Sequence, residues 1–137
     1  MMISDIVEKL AAILRGALPG EVAVCERGQE AEIGFPAVVI GDEGSEEHEL
    51  MCGNFQLEFS VELIVQPGAN LEDVGEAEFR SWSRLIGEVL GDYDALAVQL
   101  GEVALVRGVW GASGVVRREG GYLVNAWELS MMAASLA

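Results

Sequence analysis

Carboxylates are the residues of this sequence best equipped for chemistry. Five of the eight residues from Asp42 to Glu49 are acidic, namely Asp42, Glu43, Glu46, Glu47 and Glu49, and the chain's only histidine, His48, stands among them. Carboxylates with an imidazole are ordinary cation ligands. The spacing fits no EF-hand loop, however, and no second histidine can complete a site. A hydrated loop whose acids face a partner or a channel is therefore the reading adopted. Glu58 and Glu62 would share one side of an extended strand with their Cα atoms roughly 13 Å apart. That separation suits no shared substrate atom of the kind a glycosidase pair acts on, and a polar row facing solvent or a subunit is the simpler expectation.

Other catalytic groupings do not form. Cys25 and Cys52 make no C-x-x-C pair and read as reduced, structural thiols in a reducing compartment. No Gly-x-Gly-x-x-Gly, Walker loop or Gly-x-Ser-x-Gly elbow occurs, and with a single histidine most acid–base and nucleophilic schemes lose their usual partner. The expectation is a protein that is not an enzyme and uses neither cofactor nor metal. Arg117-Arg118 is the only basic doublet. Placed beside glycines in an acidic molecule, it is a candidate docking point for the acidic surface of a neighbouring copy or partner.

The charge balance sets the wider bounds. Twenty-three acids against eight bases give a formal net charge of −15, and Lys9 is the only lysine. Affinity for nucleic acid comes largely from counterions released by Lys and Arg, so this chain should not grip a phosphate backbone, although it can lie beside one. No apolar run approaches the roughly 18 residues of a membrane span, and the first residues lack the basic start and apolar block of a signal peptide. Synthesis and retention in the cytosol follow as the expectation. At 137 residues the chain has room for one core, hence one domain over residues 1–137.

The elements that would hold these residues can be read from periodicity. Ile3, Ile6, Val7, Leu10, Ile13 and Leu14 mark one helical face, with Ser4 as N-cap and Gly16 then Pro19-Gly20 as stop. Residues 22–26 read as a short edge strand, and 37–40, after Phe35-Pro36, as a strand buried on both faces. The dominant signal is 55–65. Phe55, Leu57, Phe59, Val61, Leu63 and Val65 alternate with Gln56, Glu58, Ser60 and Glu62, the period of a pleated strand with one apolar side.

Its lid should be the next helix, capped by Asn70 and running to about Leu90, with Phe79, Trp82, Ile86 and Val89 on one side. One or two further turns between Asp94 and Leu100 precede two C-terminal strands, 103–110 and 122–131. These are joined by a long glycine-rich hairpin carrying Arg117-Arg118 at its tip. The expected fold is α+β, a mostly antiparallel or mixed sheet of about four to five strands against two main helices.

That order of elements resembles the tail-terminator (minor tail protein U-like) proteins of long-tailed bacteriophages. The resemblance runs from the first helix to Met131 and is carried by Phe35-Pro36-Ala37-Val38, the Glu-containing alternating strand ending in a proline, the Trp-bearing helix, and Ala112-Ser113-Gly114 followed by Arg117-Arg118-Glu119. It implies an α+β subunit that assembles as a ring, most simply a hexamer, on the end of the tail tube. Such a ring would stop tube polymerisation and present a surface for head joining. The partners implied are further copies of the chain, the tail tube protein and a head-completion protein, with DNA passing through unbound and no membrane. The location implied is the virion tail, assembled in the host bacterial cytoplasm. The alternative from another class is a small acidic secretion chaperone acting as a dimer, with apolar grooves for an unfolded segment.

Overall fold

The computed structural model describes residues 2–28, 35–43, 49–51, 53–66, 72–111 and 113–136. Three of the residues named above, Glu46, Glu47 and His48, lie outside them, as do Cys52 and the expected cap Asn70.

The first helix, α1 (Met2–Ala17), buries Ile6, Val7, Leu10, Ala11 and Leu14, the face its spacing predicts. Ser4 falls inside its first turn rather than at the cap, because the helix begins at Met2. Near the other end Arg15 donates from Nη2 to the carbonyl of Val24 at 2.9 Å, tying the helix to the strand that follows. The strands are β1 (Ala23–Glu26), β2 (Ala37–Asp42), β3 (Glu49–Met51), β4 (Asn54–Val65), β5 (Leu105–Gly111), β6 (Val115–Glu119) and β7 (Tyr122–Ala134), with α2 (Glu72–Gly91) and α3 (Tyr93–Leu100) between β4 and β5. Asp92 caps α3, its carboxylate accepting from the Ala95 amide, which satisfies one of the orphan donors of a helix start.

All seven strands join one sheet in the order β1-β2-β4-β7-β5, with β3 added to β4 and β6 to β7. Among the described residues only β1 and β2 pair in parallel; the other pairings are antiparallel. The α+β class is as expected. The strand number exceeds the expectation through β3 and β6, two short strands that each pair with the next strand along the chain, while α3 is the further helical stretch expected between Asp94 and Leu100. β6 is the instructive case. The 111–121 connection reads as a loop because of its glycines, yet Val115 to Glu119 pair with Ala126 to Tyr122. The turn itself is only Gly120-Gly121, with φ of 55° and 86°. Positive φ at both central residues is what a two-residue hairpin turn needs to match strand twist, and glycine meets it without strain.

β4 occupies the centre. It pairs with β7 from Phe55↔Ala133 to Val65↔Leu123 along one edge, and with β2 and then β3 along the other. Both rows of its backbone groups are thereby satisfied. Leu57, Phe59, Val61, Leu63 and Val65 are buried on one face, opposite Met131, Leu129 and Trp127 of β7. The expected lid is present but shared. Helix α1 lies over β1 and β2, while α2 contributes Phe79, Trp82, Ile86 and Leu90 over β4, β7 and β5.

Phe59 is 1% exposed at the middle of that core. Truncation removes packing from β4, β7 and the helices at once, so Phe59→Ala should destabilise the fold by about 3–5 kcal/mol. Urea denaturation monitored by tryptophan fluorescence would read this as a lowered midpoint at unchanged slope, and an unmoved midpoint would place the core on the other side of β4.

Candidate functional site

With the helices on one side of the sheet, the even-numbered residues of β4 point to a face that no described helix covers. A line of alternating charge crosses it. Arg27 follows β1 directly, its backbone N–H bonded to the carbonyl of Ile40 at 2.8 Å. Its side chain then lies across β2 over Gly41, where a Cβ would fall 2.5 Å from the guanidinium carbon, so the crossing needs glycine.

Beyond Gly41, Arg27 Nη2 donates to Ser60 Oγ of β4 at 2.6 Å, ion-pairs with Glu43, and stands 3.5 Å from Glu62 Oε1. Ser60 is buried and donates in turn to Glu43 Oε1 at 3.0 Å. Glu62 accepts from Arg117 Nη2 of β6 at 2.9 Å, and Arg117 Nε reaches Glu119 Oε2 at 3.2 Å. The sequence Glu43, Arg27, Glu62, Arg117, Glu119 thus spans the sheet from the end of β2, across β4, to the hairpin. Pairs this exposed are worth roughly 0–1 kcal/mol each. Their larger effect is geometric, since one network fixes side-chain directions on β4 and β6 together with the residues that follow β1 and β2.

The acids singled out in the sequence do not converge. Asp42 and Glu43 are neighbours, yet pleating sends them to opposite sides: Asp42 is in register with the buried Phe59 and shares a cleft with Ile3, Ser4 and Val7 of α1, whereas Glu43 joins Ser60 on the open face. Glu49 is placed by its backbone in β3 opposite Phe55. Among the described residues no group of three or more His, Cys, Asp or Glu could hold a metal ion. Cys25 is buried in β1 beside Val39.

The arginine doublet is also divided, and it sits within β6 instead of at the hairpin tip. Arg117 joins the open-face network, while Arg118 pairs with Glu76 Oε1 of α2 at 2.7 Å on the helix side. Glu119 and then Glu62 raise the pKa of Arg117. Both members of the doublet are therefore engaged within their own chain. Arg27, the centre of the network, carried no signal in the sequence: it looks like a loop residue, and Ser60 lies 33 positions away. The one available hint was Ser60, a small hydroxyl between two glutamates on the polar side of an otherwise apolar strand.

The network has a pH signature. Hydrogen bonds from Arg27 and then Ser60 hold the Glu43 carboxyl below its ordinary 4.5. A depressed carboxylate pKa stabilises the fold above the unfolded value, and that stability is lost as pH falls through the folded value. Glu43→Gln should therefore remove a small stabilisation that is present above pH 4.5, small because the group is well exposed, so that its acid limb is flatter and the two curves converge as pH falls. Thermal melts of both proteins from pH 3 to 7 would decide the matter, and parallel acid limbs would remove Glu43 from the network. Gly41→Ala should give the same flattening, because the new methyl displaces Arg27.

Comparison with known proteins bears on the fold. No family model and no curated protein sequence matches the chain. Among solved structures, it is similar to a chain described as "Virion of native gene transfer agent (GTA) particle", with 12% identity and a TM-score of 0.51 over 95% of this chain and 92% of that one. At that identity the likeness is one of fold: helices on one side of a mixed sheet, matched over nearly the whole length of both chains.

Proposed function

We propose that this protein is a structural subunit of a phage-like virion, and more finely the subunit that caps the tail tube as a ring, most simply a hexamer. The observation that carries the reading is the fold held in common, nearly end to end, with a chain of a gene transfer agent virion. The resemblance of the element order to tail terminators narrows it from virion protein to tube cap. In this role the ring ends polymerisation and offers a surface for head joining, and its partners are its own copies, the tail tube protein and a head-completion protein. It is a structural protein and catalyses nothing. Its place is the virion tail, assembled in the host cytoplasm. No described helix is long and apolar enough to cross a membrane.

Electrostatics favours the same role. The open face pairs three glutamates with two arginines, so it adds no net positive charge for passing DNA to hold. A chain of −15 lining a channel repels phosphates and lets them slide. The cost falls on assembly, because six copies carry −90 between them. Screening should relieve it. Sedimentation velocity at increasing protein concentration, with and without added sodium chloride or magnesium, is expected to show a ring-sized species whose share grows with ionic strength. A monomer or dimer unchanged across those conditions would overturn the reading, and a dimer that captures an exported, unfolded segment would replace it with the chaperone.

A further inference from the structure

We infer that the β5–β6 ribbon is the surface that receives a second copy of this chain, with Arg107 and Trp110 as its anchors. The inference rests on the ring reading and names the contact that reading requires. β4 fills one edge of β7, and β5 and β6 run in succession along the other. Within the sheet path, no described strand lies beyond β5. An open edge of this kind is a ready template for another chain unless it is blunted.

Apolar exposure is concentrated here. Of the eight large hydrophobic residues exposed among the described residues, four belong to the ribbon: Leu105, Trp110, Val115 and Val116. Register places three of them on the helix-free face, Leu105 opposite Ala134, Trp110 opposite Ser130 and Val115 opposite Ala126. Trp110 is 45% exposed. Such clustering marks a contact surface, whereas scattered single residues would not.

Charge selects the occupant. Residues 105–119 contain three arginines and one glutamate, an excess of two positive charges in a chain of −15. Arg117 and Arg118 are held by Glu62, Glu119 and Glu76. Arg107 differs from them. It is exposed at the irregularity between Val106 and Gly108 and has no ion-pair partner among the described residues. In a chain with 23 acids, the complementary surface for that guanidinium is abundant on another copy.

Ribbon against ribbon would oppose Arg107 to Arg107, so the second copy must present a different, acidic part of itself. That makes the contact head-to-tail, the kind of interface that closes into a ring. Arginine and tryptophan are also the residue types that most often dominate such contacts.

The test compares sedimentation of the full chain with Arg107→Glu, Trp110→Ser and Arg84→Glu. The last makes the same charge change on an exposed position of α2, away from the ribbon. Arg107→Glu and Trp110→Ser should each raise the concentration of half-assembly by about tenfold or more at an unchanged melting temperature, while Arg84→Glu moves it little. Equal shifts for Arg107→Glu and Arg84→Glu would mean that only net charge matters, and would overturn the inference while leaving the ring intact. Assembly that stops at a two-fold dimer would overturn the head-to-tail contact. If the unaltered chain does not associate at all, the ring reading itself fails.

Discussion

The pairing of β4 on both edges, with one face under helices, is the constraint on which the rest of the structure depends. A twelve-residue strand of strict alternation has two rows of backbone groups to satisfy and one apolar surface to cover. Sequence neighbours cannot meet all of these needs. β7 must return from the far end of the chain to take one edge, β2 must take the other, and α1 and α2 must share the cover. Register follows from the same demand. A slip of one residue between β4 and β7 would set Phe59 against Glu128 or Ser130 in place of Leu129, and so turn one strand's apolar row to the wrong side of the sheet.

With the described helices on one side, an ion-pair network crosses the other side of the sheet. There the chain uses its few bases economically. Arg27 and Arg117 are each shared between carboxylates of different strands, so that Glu43, Glu62 and Glu119 are held without a cluster of unpaired like charges. The result is a face that is ordered, polar and still acid-rich. A surface of that character suits a subunit that stands beside DNA without retaining it. Exposed apolar residues gather at one margin, along β5 and β6, where Leu105, Trp110 and Val115 stand on the same face.

The central strand, the two long helices, the doubly buried β2 and the α+β class were all legible in the sequence, because each is fixed by a periodicity written into consecutive residues. Leu57, Phe59 and Val61 declare a strand face wherever their partners lie, and Ile6, Leu10 and Leu14 declare a helix face. The charge balance is equally plain. Eight bases against 23 acids disfavour any role that grips a phosphate backbone, whatever the fold.

What the tertiary structure alone decided is which residues meet. Glu43 and Asp42 are adjacent in sequence and part to opposite faces, whereas Arg27, Ser60, Glu62 and Arg117 are scattered across 90 positions and come together. β6 hid among glycines because five exposed residues carry no burial pattern, and only the edge of β7 makes them a strand. Arg117 and Arg118 looked like free cations, yet both are paired within the chain, and of the ribbon's three arginines it is Arg107 that has no ion-pair partner among the described residues. For the ion pairs and the parted acids the physical reason is the same. Periodicity reports how a residue faces its own element, but an ion pair or an open edge depends on what the sheet order carries past it, and that order is set by long-range pairing that no local stretch of sequence encodes.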